Sequence, residues 1–129
     1  MGYLVYNDAT QYSFDDRTLA HLKIAIAAKL RLQESFLLSW AVAPEHGSGR
    51  ISIWISPAVP IQFLFHEPRP PQLNRKWLEA LARYSHGLRG MIVMSEDEAN
   101  AIADRDPMDA DTYAEAQKAF DTVTARLPK

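Results

Sequence analysis

Residues 47–65 read GSGRISIWISPAVPIQFLF, and this stretch decides the fold. Its first half alternates apolar and polar side chains, which is the period of a β-strand with one buried face. Pro57 and Pro60 follow, and because proline cannot donate a ladder hydrogen bond, they mark a connection to a second strand in IQFLF. The stretch therefore predicts two strands.

The two strands are predicted to pair antiparallel, with one apolar face packed against helices. The alternation assigns every second residue to that face. The predicted core positions are Ile51, Ile53, Ile55, Phe63 and Phe65.

The opposite face of the same strands is predicted to bind a partner. Trp54 lies there among arginine and serine, and Trp and Arg are the residue types that concentrate binding energy in interfaces. An equally weighted alternative is that the C-terminal helix covers Trp54 within the monomer. Both interpretations apply if the C-terminal helix covers Trp54 and is displaced when a partner binds. The predicted partner-binding residues are Arg50, Ser52, Trp54, Gln62, His66, Arg69 and Arg75.

The flanking sequence predicts an α+β domain with a mostly antiparallel sheet and the order ββαβββαβ. NDAT between YLVY and QYSF indicates a hairpin. Helical periodicity predicts one helix at residues 16–32, begun by Asp15 or Asp16, and another at 75–86, capped by Asn74. GMIVM at residues 90–94 is predicted to be a short buried strand.

The character of the chain changes after Met94. We predict a domain at residues 1–94 and an acidic helical extension at 95–129. SEDE has the spacing of a capping box, and a longer helix is predicted to start near residue 109 or 111. Its apolar stripe is predicted to dock on the same chain or, as the second choice, to pair with another copy; it comprises Tyr113, Phe120, Val123 and Leu127.

Composition fits one globular domain of 129 residues. The net charge of −2 divides unevenly: ten Lys and Arg stand against seven Asp and Glu up to Met94, and four against nine afterwards. No apolar run is long enough to span a bilayer, so a cytoplasmic protein is expected. The absence of cysteine excludes disulfides, thiol nucleophiles and Cys-based zinc sites.

No motif predicts catalysis, a metal or a cofactor. The histidines, His21, His46, His66 and His86, show neither HxH nor HExxH spacing and are expected at the surface. Lys23 falls on the apolar side of the first helix. It is interpreted as a lysine whose stem covers apolar surface, with a nucleophilic role as the less favoured alternative.

Three stretches carry a family resemblance: DDRTLAHLKIAIAAKLRLQESFLLSW, the 47–65 segment, and RPPQLNRKWLEAL. Together they resemble small actinobacterial proteins of a domain of unknown function, over about residues 1–94. Members of that family are often described as ATP-dependent DNA ligases. The resemblance implies no catalytic residues.

Autonomous ligase activity is excluded by the residues themselves. Such enzymes accept adenylate on the lysine of KxDG, whereas the internal lysines here read KIA, KLR, KWL and KAF. We therefore predict a non-enzymatic binding or adaptor module. The alternative is a nucleic-acid-binding accessory protein, with Trp54 stacking on a base. Its phosphate contacts would come from Arg50, Arg69, Arg75, Lys76, Arg83 and Arg89.

Overall fold

The computed structural model describes residues 1–42, 49–83 and 90–105 of the chain. Their elements follow the order ββαβββαβα, an α+β fold as predicted. The strands are β1 (Gly2–Tyr6), β2 (Thr10–Phe14), β3 (Phe36–Val42), β4 (Gly49–Ile55), β5 (Ile61–Leu64) and β6 (Met91–Ile92). The helices are α1 (Asp16–Arg31), α2 (Arg75–Arg83) and α3 (Glu96–Arg105).

The described strands form two three-stranded sheets rather than one. Sheet A is antiparallel in the order β2-β1-β5, while sheet B has the order β4-β3-β6 and pairs β3 antiparallel with β4 and parallel with β6. The predicted pairing of β4 with β5 is wrong, because β5 pairs with β1. Alternation fixes which face of a strand is buried but does not select its neighbour.

One core cluster joins side chains from both sheets and all three helices. The predicted inward face is confirmed, since Ile53 and Ile55 are buried. Ile51, Phe63 and Phe65 are half-buried and pack against the same cluster. The two strands thus share one core although they belong to different sheets.

Local sequence signals account for the ends of several elements. Asn7 and Asp8 adopt φ angles of 54° and 57°, the left-handed conformation that suits the hairpin between β1 and β2. Asn74 Oδ1 accepts hydrogen bonds from the backbone N–H of Lys76 at 3.0 Å and of Trp77 at 3.4 Å. It therefore caps α2, as predicted.

The cap at the start of the C-terminal extension is also present. Ser95 Oγ accepts a hydrogen bond from the backbone N–H of Glu98 at 3.2 Å. The third helix packs on the second, and its Ala99 belongs to the core cluster. The domain boundary after Met94 stays a prediction. The apolar stripe lies outside the described residues: Tyr113, Phe120, Val123 and Leu127.

We expect Ile53→Ala to lower the free energy of unfolding by about 2–3 kcal/mol, toward the lower end of such substitutions because 8% of Ile53 is exposed. The control is Ser52→Ala on the opposite side of β4, for which we expect a change of about 1 kcal/mol or less, because it removes one exposed hydrogen bond to Ser39. Denaturant unfolding measures both. A negligible cost at Ile53 would show that the assigned faces of β4 are reversed.

Candidate functional site

The outer side of β4 carries three of the predicted partner-binding residues. Arg50, Ser52 and Trp54 are exposed, with 51% of Trp54 accessible to solvent. They point the same way because alternate side chains in a strand share a face. The register places Trp54 opposite Leu37 of β3 and Ser52 opposite Ser39. We call this surface the outer face of sheet B.

Two hydrogen bonds fix the position of this face. The hydroxyl oxygens of Ser39 and Ser52 lie 2.7 Å apart, which ties β3 to β4. Tyr6 Oη donates to the carbonyl oxygen of Trp54 at 2.6 Å. Because Tyr6 belongs to β1, this bond joins sheet A to the end of β4. It holds the backbone of Trp54 while half of the residue stays exposed.

The remaining predicted site residues lie on other elements. Gln62 belongs to β5 in sheet A, His66 and Arg69 follow β5 in the connection to α2, and Arg75 is the first residue of α2. The expectation that Gln62 and His66 lie beside Trp54 in one sheet is therefore wrong. It failed because it depended on the pairing of β4 with β5.

A groove of about 1390 Å³ adjoins the outer face of sheet B. Its lining comes from β2 and the start of α1, and from β3, β4 and the segment between β6 and α3. This lining contains charged, aromatic and aliphatic side chains. Lining residues that determine this character are Arg50, Asp15, Glu98, Tyr12, Trp40 and Ile92.

Aromatic contacts hold the two sheets together at the groove. The Trp40 ring lies 5.1 Å from the ring of Tyr12, with an angle of 79° between their planes. It also lies 5.1 Å from the ring of Phe14, at 66°. Both contacts have the edge-to-face geometry that aromatic pairs prefer. All three rings line the groove, so they give it a fixed aromatic wall.

Strand edges also line the groove. Among the described strands, β2 pairs with β1 alone, and consecutive residues from Gln11 to Asp15 contribute to the lining. The pairing of β3 with β6 is confined to Leu38 and Ser39. Within the described residues, the later part of β3 therefore pairs only with β4. Such edges and an adjacent apolar wall can accept an added segment of chain.

Sequence reasoning identified Arg50 and Ser52 but missed the rest of the groove. Its other walls come from β2 and from the segment that leads from β6 into α3. These regions share no motif and meet only because two separate sheets are formed. The one available signal was Trp40, an aromatic residue within an otherwise ambiguous apolar strand.

A polar cluster joins the three helices. Arg17 forms a two-pronged ion pair with Glu96, with Nη2–Oε2 and Nε–Oε1 distances of 2.6 and 3.2 Å. Asn74 Nδ2 donates to Glu96 Oε2 at 2.8 Å and to Asn100 Oδ1 at 3.1 Å. The hydrogen bonds from Arg17, and then from Asn74, lower the pKa of Glu96 to about 2. We interpret this ionised cluster as a structural connection.

His21 lies beside this cluster and is fully buried. Its Nδ1 is 2.7 Å from the carbonyl oxygen of Arg17, and the backbone N–H of Asn74 donates to Nε2 at 2.8 Å. The ring stacks on Trp77 with 4.2 Å between centroids. These bonds require the neutral tautomer protonated on Nδ1. Burial is the main cause that lowers the pKa of His21.

The predicted surface position of the histidines holds only in part. The prediction is wrong for His21, because the apolar side of α1 can accept an imidazole whose two nitrogens are hydrogen-bonded. It is confirmed for His66, which is exposed, whereas His46 and His86 lie outside the described residues. No cluster of three or more His, Cys, Asp or Glu side chains that could hold a metal occurs in the described ranges.

Lys23 is half-buried on α1, and its Nζ lies 5.5 Å from the centre of the Phe65 ring. The contact between a cation and an aromatic face is favourable, and the aliphatic stem covers neighbouring apolar surface. This position supports the structural interpretation of Lys23.

Residues 1–96 match the profile of a family described as a domain of unknown function (DUF7882). The match spans most of the chain, so the protein belongs to this family. No curated protein and no solved structure matches the chain. None of the helices in the described ranges combines the length and apolar character of a membrane-spanning helix.

Proposed function

We propose that the protein is a non-enzymatic cytoplasmic binding module that takes a protein partner on the outer face of sheet B and in the adjoining groove. The observation that carries this proposal is the exposure of Trp54 and Arg50 on the same side of one strand. Trp and Arg are strongly enriched among residues that dominate binding energy. Here they lie on a regular element, which holds them in place before a partner binds.

The charges around the groove support a protein partner. Arg50 contributes a cation, while Asp15 and Glu98 contribute carboxylates to the same lining. A surface of mixed charge beside aromatic rings matches the composition of protein interfaces, where aromatic anchors are surrounded by polar groups. A polyanion would meet repulsion from both carboxylates.

The nucleic-acid alternative has less support from the described residues. Of its predicted phosphate contacts, Arg50 alone lines the groove, and Arg89 lies outside the described ranges. Lys76 forms an ion pair with Asp104 at 3.2 Å. The remaining predicted phosphate contacts lie on α2 and in the loop before it: Arg69, Arg75 and Arg83.

Trp54→Ala is expected to weaken binding of the partner by about 10- to 30-fold, because truncating an anchor residue costs about 2 kcal/mol. The matched control is Leu64→Ala, which removes another exposed apolar side chain, 46% accessible, from an edge strand of the other sheet. The partner would be captured from the native host with the wild-type chain, purified, and titrated against each variant.

Equal affinities of the two variants would contradict the proposal. A labelled single-stranded oligonucleotide provides the test of the alternative. Binding that is lost on Trp54→Ala and falls steeply with added salt would favour nucleic acid over a protein partner.

A further inference from the structure

We propose that a second copy of the chain packs on the outer face of sheet A, so that the protein forms a weak two-fold dimer. We define this face by the side chains of β1, β2 and β5 that point away from the core. It is a different surface from the outer face of sheet B, and the inference does not rest on the proposed function. Its members are Tyr3, Val5, Gln11, Ser13, Gln62 and Leu64.

Alternation places these six side chains on one side of the sheet. Most of the positions between them carry large side chains that pack in the core cluster: Leu4, Tyr6, Tyr12, Phe14, Ile61 and Phe63. Neither core cluster includes a member of the outer face. Five of the six members are exposed, and Val5 alone is buried. Within the described ranges, sheet A is therefore packed on one side only.

The outer face of sheet A exposes apolar surface. Tyr3 and Leu64 lie directly opposite each other on neighbouring strands and are 40% and 46% exposed. Covering such a pair removes apolar surface from water, which is favourable in proportion to the area buried. The face therefore gains free energy when another surface packs against it.

The polar groups of this face suit a copy of the same face. None of its side chains is charged. The hydroxyls of Tyr3 and Ser13 and the amides of Gln11 and Gln62 can each both donate and accept hydrogen bonds. Within the described part of the chain, none of these four side chains is already engaged in a hydrogen bond. A two-fold contact sets a surface against itself, so a charged group would meet its like, whereas these groups can bond to their own copies.

The strand register indicates which groups would meet. Gln11 and Gln62 lie at the same level, one on each side of Val5. A two-fold axis that runs along the strands near Val5 sets Gln11 against Gln62 of the second copy. An axis that runs across the strands sets each glutamine against its own counterpart. Either arrangement brings the amides of the two copies together.

The size of the face sets the expected strength of the contact. Its three strands lie about 4.8 Å apart, and each is at most about 17 Å long. This area is at the lower end of what specific interfaces bury. We therefore expect a dimer that exchanges with the monomer rather than a permanent one.

Charge substitutions at the two glutamines test the contact. The acidic variant combines Gln11→Glu with Gln62→Glu, and the basic variant combines Gln11→Lys with Gln62→Lys. The matched controls carry the same pairs of substitutions at Gln33 and Gln72, which are exposed and lie outside sheet A. Each control therefore has the same net charge as its variant. Sedimentation equilibrium of the full chain, from about 10 μM to about 1 mM, measures the dimer dissociation constant.

We expect the wild type and both controls to dimerise. The acidic and the basic variant should each raise the dissociation constant by about tenfold or more, because like charges then meet across the contact. An equimolar mixture of the two variants should restore the dimer, since opposite charges meet in either arrangement of the axis. Thermal unfolding verifies that all variants are folded.

Two results would overturn the inference. A wild type that stays monomeric up to about 1 mM would show that a second copy does not occupy this face. A dimer that is equally stable in the variants and in their controls would place the contact between copies elsewhere. Both results leave Trp54 and the groove untouched, so failure of this inference and failure of the proposed function are separate outcomes.

Discussion

Deleting residues 95–129 is expected to unfold much of the remaining chain, whereas deleting residues 106–129 should leave it folded. The larger deletion removes α3, which packs on α2 and contributes the fully buried Ala99 to the core cluster. It also removes Glu96, the partner of both Arg17 and Asn74. The loss is expected to exceed that of a single large core side chain, which is about 2–5 kcal/mol.

Circular dichroism and thermal unfolding of the two truncated chains measure this difference. The chain ending at Arg105 is the control, because it keeps every contact of α3 described above. This expected result is the opposite of what the predicted boundary after Met94 requires. If residues 1–94 unfold as cooperatively and at the same temperature as the control, that boundary is correct. The contacts of α3 would then contribute little to stability.

The order of elements could be predicted because its signals are local. The hairpin turn at Asn7 and Asp8, the periodicity of α1 and the cap at Asn74 each depend on a few neighbouring residues. The division into two sheets could not be predicted, because strand pairing depends on the entire fold. RISIWIS and IQFLF follow each other closely, yet β5 pairs with β1.

In the candidate site too, the features set by local sequence could be predicted and those set by the entire fold could not. Alternation along β4 predicted the polar side on which Trp54 is exposed, since the period of a strand is a local property. The groove requires β2 and α3 to approach sheet B, and no local pattern reports that approach. The hydrogen bond from the backbone N–H of Asn74 to His21 Nε2 likewise connects the start of α2 to α1.

We expect His21→Ala to lower the free energy of unfolding by about 3–5 kcal/mol at neutral pH, because several losses coincide. The substitution leaves a cavity beside the stacked ring of Trp77, and it removes the acceptor of the part-buried N–H of Asn74. His66→Ala is the matched control, since His66 is exposed and should change stability by about 0.5 kcal/mol or less. Denaturant unfolding measures both, and equal costs would contradict this role of His21.

The cost of His21→Ala is also expected to depend on pH. The folded state binds fewer protons at this site than the unfolded state, because burial lowers the pKa of His21 from 6.5 and both ring nitrogens are engaged. The contribution of His21 is therefore fully present above pH 6.5 and is lost as the pH falls below that value. A second proton would also lie close to the Arg17 cation, although the carboxylates of Asp15 and Glu96 partly offset this repulsion.

The measurement is the difference in unfolding free energy between wild type and His21→Ala at about pH 7.5 and about pH 5, and we expect the difference to shrink on acidification.

Glu96→Gln separates this effect from that of the ion pair, because the pKa of Glu96 is lowered from 4.5 to about 2. The contribution of Glu96 is present above pH 4.5 and is lost only as the pH falls toward about 2. Glu96→Gln should therefore retain the change in stability between about pH 7.5 and about pH 5, while His21→Ala should lose most of it. If His21→Ala retains that change in full, His21 is not the group that protonates when the chain unfolds.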